Sequence, residues 1–145
     1  MTISMAHMKE LRTQEEFLRA YPIMRQLRTE LSEGEYLGVL KNMVTEGYQL
    51  LALWLEDEIV ALAGCKIQTN FYYGKHVYVF DLITDEASRS KTYGKQLLES
   101  VEQWARAEGC TNIALASATH RVGAHRFYEE KMHFTKPSYE FVKKL

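Results

Sequence analysis

The sequence predicts a mixed α/β (α+β) fold with helices on both faces of one sheet, and three observations point to it. Strand-length runs, alternating or wholly apolar, occupy residues 3–11, 48–55, 59–69, 76–84 and 112–117. Around them the apolar spacing switches to helical period, within 17–27, 36–43, 97–105 and 122–131. Only 8 Gly and 2 Pro punctuate 145 residues, and the prolines stand far apart at Pro22 and Pro137, so the elements should be long. A chain of this length suits a single domain, 1–145, which can bury about two-thirds of its unfolded surface.

Taken in order, residues 3–11 alternate and read as an opening strand. Thr13 and Glu16 have capping-box spacing ahead of Phe17, Ala20, Tyr21, Met24 and Leu27, which marks a helix that Pro22 should kink or divide. Ser32 and Glu35 repeat the spacing before Tyr36, Val39, Leu40 and Met43, a second helix stopped near Gly47. Residues 48–55 and 59–69, joined through Glu56-Asp57-Glu58, read as a hairpin, and 76–84 as a third strand after the 70–74 loop. Three strands without an intervening helix suggest an antiparallel meander. Leu97, Leu98, Val101, Trp104 and Ala105 then mark one face of a long helix ended by Gly109. A strand at 112–117, a shorter helix at 122–131 and a last strand at 139–143 complete the order β-αα-βββ-α-β-α-β.

Composition removes several function classes. With 18 Lys+Arg against 19 Asp+Glu the formal net charge is −1, which argues against coating nucleic acid by bulk charge. The balance is uneven: residues 1–58 carry 6 basic and 10 acidic side chains, residues 59–145 carry 12 and 9. Cys65 and Cys110 stand 45 positions apart with no Cys/His cluster at metal spacing, so buried thiols of a reducing compartment are expected, and no metal. No apolar run reaches the roughly 18–20 residues that span a bilayer, and the N-terminus lacks signal-peptide pattern. The expected location is the cytoplasm, with no nucleic-acid and no membrane partner.

The chemistry concentrates where the strand ending Asp81-Leu82-Ile83-Thr84 runs through a polar loop into a helix. A helix N-terminus offers unpaired N–H groups and about half a positive charge, which suits a phosphate. Arg89, Lys91 and Lys95 add three positive charges within seven residues, and Gly94 permits close backbone approach. Neither GxxxxGK[ST] nor GxGxxG is present, and a solvated basic helix start is the plain alternative.

Arg89-x-x-Thr92-x-Gly94, after a strand and before an amphipathic helix, resembles the acyl-CoA signature (Q/R)-x-x-G-x-(G/A) of the GCN5-related N-acetyltransferase (GNAT) family. The run from Arg121 through Ala124, Phe127 and Tyr128 to Phe134 is similar to that family's second signature, N-x-x-A-x-x-(F/L)-Y-x-x-x-G-F. The element order also matches, so the resemblance covers essentially the whole chain. Thr92 stands in place of the first signature glycine, Arg121 in place of Asn, and the close Met132-His133-Phe134 is one residue longer than the pattern.

The resemblance implies an acetyl-CoA-dependent N-acetyltransferase with a mostly antiparallel sheet splayed between its fourth and fifth strands, and a tendency to form homodimers. It implies that Leu82, Ile83 and Thr84 present backbone groups to the pantetheine arm. The pyrophosphate would then lie on the amides of Ser90, Lys91, Thr92, Tyr93, Gly94 and Lys95, with Arg89 and Lys91 as charge partners and Arg121 and Phe127 also on the cofactor. Tyr128 is the expected general acid toward the departing thiolate, or else a core residue. For the base, Asp81 and His120 are candidates, each with a structural or surface role as the alternative. Substrate recognition falls to Glu30, Glu33 and Tyr36 of the N-terminal helices with aromatic Tyr72 opposite, and to Tyr78, through charge and cation–π attraction for a cationic amine. The acidic residues serve equally as helix caps. A non-catalytic acyl-CoA-binding module on the same fold is the competing expectation.

Overall fold

The computed structural model describes residues 5–89 and 91–145. Its elements are β1 (His7–Leu11), α1 (Gln14–Leu27), α2 (Glu33–Thr45), β2 (Gln49–Leu55), β3 (Glu58–Asn70), β4 (Gly74–Thr84), α3 (Tyr93–Ala107), β5 (Asn112–Leu115) and α4 (Val122–Arg126). The chain clusters into two compact units, Met1–Ala114 and Leu115–Leu145.

In the first unit the sheet runs in the order β1-β2-β3-β4-β5. The first four strands are antiparallel neighbours, and β5 lies parallel to β4. Alternation assigns the two faces. Leu50, Ala52, Leu62 and Ile83 pack with Ala20, Ile23, Met24, Tyr36 and Leu40 of α1 and α2. The opposite parity, Leu51, Leu53, Ala61, Ala63, Cys65, Val77 and Val79, is equally buried and falls to α3, which buries Leu97, Leu98, Val101 and Ala105. Small residues on β3 let that helix approach closely.

The expected capping box at Thr13 forms in full: Thr13 Oγ1 accepts from Glu16 N–H at 3.1 Å, and Glu16 Oε1 accepts from Thr13 N–H at 3.1 Å and Arg12 N–H at 2.9 Å. Pro22 does not divide α1, which is one helix from Gln14 to Leu27. Pro22 is exposed on the helix surface, and the helix continues through it although its ring nitrogen donates no hydrogen bond. At Ser32 the hydroxyl accepts from Glu35 N–H at 3.2 Å and begins α2.

β4 carries a bulge. Asp81 pairs with Gly64 and Val79 with Cys65, so Phe80 is the extra residue. β5 starts beside the beginning of β4, where Thr111 N–H bonds Lys75 O at 2.9 Å, and it is only four residues long. β4, with eleven residues, therefore runs on past the end of β5.

In the second unit, α4 continues directly into a π-helical turn, Phe127–Lys131. The helix expected at 122–131 thus occupies its range with its second half wound differently. The strand expected at 139–143 does not form. Tyr139, Phe141 and Val142 are 82%, 93% and 87% exposed and no strand pairs with them among the described residues. An alternating pattern makes a strand only where a neighbour accepts its ladder of hydrogen bonds.

Candidate functional site

The far end of β4 is built from its backbone. Asp85 N–H bonds Val60 O of β3 at 2.9 Å. In an antiparallel ladder alternate residues turn their amides to the same neighbour, so Thr84 and Leu82 turn theirs to the side that β5 does not reach. Ile83, between them, puts its side chain in the core. No strand is paired with this side of Leu82 and Thr84 among the described residues, and such a peptide edge suits a ligand that itself carries amides.

From Thr84 the chain enters the loop that begins α3. Gln26, near the end of α1, fixes its start: Gln26 Nε2 donates to Asp85 Oδ1 at 2.9 Å, and Glu86 N–H donates to Gln26 Oε1 at 2.8 Å. Arg89, Lys91 and Thr92 are exposed and Tyr93 and Gly94 partly so. Ser90 lies outside the described residues. Thr92 caps α3 from the left-handed region (φ 65°). Its hydroxyl donates to Lys91 O at 2.6 Å and accepts from Gln96 Nε2 at 3.0 Å, so it bonds none of the helix's first amides. Gln96 N–H is the first to bond within the helix, to Thr92 O at 3.0 Å, which leaves the amides of Tyr93, Gly94 and Lys95 without a partner in the helix. No acidic side chain occupies the first turn, and Lys95 lies 3.9 Å from Glu99 one turn on. Bare amides and a positive helix end beside exposed basic side chains fit a pyrophosphate, and the open β4 edge fits a pantetheine arm.

The β4 bulge holds a second arrangement. Asp81 is 8% exposed, yet both carboxylate oxygens are engaged. Oδ1 accepts from Arg28 Nε at 3.0 Å and Nη2 at 2.8 Å, and Oδ2 accepts from Tyr48 Oη at 2.8 Å. Arg28 Nη2 also donates to Phe80 O at 3.0 Å, tying the end of α1 to the bulge. Burial first, then the Asp81 charge, raises the Tyr48 phenol well above its ordinary range, so it stays a donor. Tyr48 reaches Asp81 across Gly64, where a Cβ would stand 1.6 Å from Tyr48 Oη. Asp81 thus joins a strand, a helix end and a buried tyrosine. Sequence inspection gave no sign of Gln26, Arg28 or Tyr48, because partners 33 to 60 residues away leave no local pattern.

Of the expected substrate residues, Glu30 and Glu33 are exposed at the α1–α2 connection, which Arg28 anchors to the Asp81 end of β4. Tyr36 is a correction: it is 3% exposed, its ring 5.2 Å from Tyr21 and its hydroxyl bonded to Phe17 O at 2.8 Å, so it is core. Burial, then Asp81, raises its phenol pKa. Tyr72 is 68% exposed. It sits in the turn before Gly74, at the far end of β4 from Thr84. Tyr78 is half-buried on β4, its ring 4.8 Å from Phe80.

In the second unit Tyr128 is 8% exposed, between the rings of Phe127 at 5.5 Å and Phe134 at 5.9 Å. Burial raises its pKa, against the charge and hydrogen bond of Arg121, so the phenol is protonated at neutral pH. Met132 N–H bonds Phe127 O at 3.1 Å, the π spacing that absorbs the extra residue of the motif, and His133, just before Phe134, is left-handed (φ 61°). His120 is exposed in the turn before α4. His125 bonds Ala118 O at 2.9 Å.

Comparison with known proteins bears on the family and the fold. Residues 10–134 match the model of the acetyltransferase (GNAT) family. An uncharacterized N-acetyltransferase of Bacillus subtilis (strain 168), YhdJ, is 44% identical over 140 residues, covering 96% of this chain and 99% of that protein. Aminoglycoside N-acetyltransferase AAC(6')-Iy in complex with CoA superposes with a TM-score of 0.85 at 11% identity, over 99% of this chain and 97% of that one. A GNAT family acetyltransferase of Staphylococcus aureus subsp. aureus USA300_TCH1516 gives 0.80 at 20% identity, over 99% and 100%.

Proposed function

The chain belongs to the acetyltransferase (GNAT) family, and on that premise we propose that it transfers the acetyl group of acetyl-CoA to a primary amine by direct attack, with Tyr128 as general acid. The carrying observation is the open β4 edge leading into the bare, basic N-terminus of α3. In this reading Leu82 and Thr84 bond the pantetheine amides, and the amides of Tyr93, Gly94 and Lys95 with Arg89 and Lys91 hold the pyrophosphate. Acetyl-CoA supplies an activated acetyl group whose leaving thiolate needs a proton.

Tyr128 suits that proton transfer because burial keeps its phenol protonated. Asp81, with both oxygens occupied, positions the bulge rather than taking a proton from the amine. An alkylammonium has a pKa near 10, and His120 is the remaining candidate to accept its proton, directly or through water. The exposed acids Glu30 and Glu33 favour a cationic acceptor. Two free cysteines suit the cytoplasm as location.

Thiol release from acetyl-CoA, measured with a panel of amines, tests the reading. Tyr128→Phe should lower turnover by roughly ten- to a thousand-fold with acetyl-CoA binding little changed; unaltered turnover would remove Tyr128 from the acid role. The engagement of Asp81 favours one alternative, a non-catalytic acyl-CoA-binding module. CoA would then raise the melting temperature while no amine released thiol.

A further inference from the structure

The end of α1 touches the strand that leads into the α3 loop at two points. Arg28 bonds the Asp81 carboxylate and the carbonyl of Phe80, and two residues earlier Gln26 bonds Asp85 and Glu86. Between these points lie Leu82, Ile83 and Thr84. Both ends of the Gln26 amide are in use: Nε2 donates to Asp85 Oδ1 at 2.9 Å, and Oε1 accepts from Glu86 N–H at 2.8 Å. A carboxylate only accepts and an N–H only donates, so the amide fits in this sense and loses both bonds if turned over. Leu at this place would lack both groups, and an ionised Glu would lack the donor.

Asp85 is the root of the loop. Its N–H bonds Val60 O of β3 at 2.9 Å, and its carbonyl accepts from Ser88 N–H at 2.8 Å, closing the turn Glu86–Ser88. Gln26 holds the Asp85 side chain and the next amide. Among the described residues no other hydrogen bond joins residues 86–91 to a neighbouring element. Arg89 leaves the turn in an extended conformation (φ −66°, ψ 158°), and neither it nor Lys91 forms an ion pair among the described residues. The direction of these cations is thus set by the turn behind them and not by a charge partner. Ordering a loop costs backbone entropy, and a loop held before its ligand arrives binds without that cost.

We propose that Gln26 is a positioning residue for the diphosphate end of acetyl-CoA: from α1 it fixes the turn at 85–88 so that Arg89, Lys91 and the first amides of α3 are aligned before the cofactor binds. The inference rests on the reading of this loop as the diphosphate site. Gln26 touches no cofactor atom in it and acts through Asp85 and Glu86. The pantetheine arm meets Leu82 and Thr84, upstream of the turn, and does not depend on Gln26.

The test titrates the full chain with acetyl-CoA and with acetyl-pantetheine, which lacks the diphosphate. Gln26→Leu removes both bonds at similar volume. Its acetyl-CoA Kd should rise roughly tenfold, the worth of one hydrogen bond to a charged group, while the acetyl-pantetheine Kd changes less than about twofold, well short of losing such a bond. In turnover the loss should appear in the KM for acetyl-CoA and not in kcat. Gln26→Glu sets two carboxylates against each other and should weaken acetyl-CoA at least as much. Adding Asp85→Asn exchanges donor and acceptor and restores the net charge, so the Kd should return to within about threefold of the parent's, since residues in contact do not act additively. Hydrogen exchange of the Glu86 amide should quicken in Gln26→Leu and slow again in the exchanged pair. An unchanged acetyl-CoA Kd in Gln26→Leu, equal losses for the two ligands, or no recovery in the exchanged pair would overturn the proposal. A parent chain that binds acetyl-CoA no better than acetyl-pantetheine would defeat the diphosphate reading of the loop, and the proposal with it. The melting temperature of the exchanged pair separates these outcomes from a folding defect.

Discussion

Thr92 and His133 adopt φ of 65° and 61°, in the left-handed region. A β-branched residue there is strained, by an amount on the order of 1 kcal/mol or more. Thr92 occupies a place in the cofactor loop where the family pattern has glycine, and His133 lies in the turn closing the second signature, just before Phe134. Thr92→Gly should therefore raise stability by up to about 1 kcal/mol and bind CoA at least as tightly, measured by urea unfolding and by calorimetric titration. Clearly weaker CoA binding would show that the Thr92 hydroxyl makes a contact of its own. The missing glycine was legible as a residue type. Its backbone consequence was not, because a sequence names the residue and not the sign of φ. Tyr36 shows the converse: aromatic character marked it as a ligand contact, and its burial, with a hydrogen bond to Phe17 O, assigns it to the core.

Among the elements, those announced by capping and periodicity formed where expected, and the capping box makes its contribution testable. Backbone N–H groups of Arg12 and Thr13 hold the Glu16 carboxyl below its ordinary value of 4.5. A lowered carboxylate stabilises the fold above the unfolded value and ceases to as pH falls through the folded one. The stability difference between the parent and Glu16→Gln should thus be present at pH 7 and close below about pH 4, read from urea midpoints; a constant difference would assign it to packing. Thr13→Ala should cost about 1 kcal/mol. The strand interior offers a harsher test at Gly64. A methyl there overlaps Tyr48 Oη and Cζ, at 1.6 and 2.3 Å, so Gly64→Ala should destabilise by about 1–3 kcal/mol or more and detach Tyr48 from Asp81. Elements that depend on distant partners were the ones misread. Residues 139–143 alternate like a strand but no strand pairs with them among the described residues, and the π turn at 127–131 accommodates one surplus residue that periodicity alone does not resolve.

At the scale of the molecule, the formal net charge of −1 argues against long-range attraction of a polyanion by bulk charge. It conceals a local imbalance: Arg89 and Lys91 project from the loop before α3 with no acidic residue in that helix's first turn. Phosphate binding should then depend on this loop and not on the overall field. Exposed charges are screened beyond a Debye length, about 10 Å at 0.1 M salt and 3 Å at 1 M. The acetyl-CoA Kd should therefore rise several-fold between these salt concentrations, while that of an acetyl-pantetheine fragment, which lacks the diphosphate, should hardly move. Replacing Arg89 and Lys91 together by Gln should weaken acetyl-CoA at low salt and remove most of its salt dependence. If the double variant keeps the full dependence, the charge that meets the phosphates lies elsewhere in the chain, and the loop is only a solvated helix start.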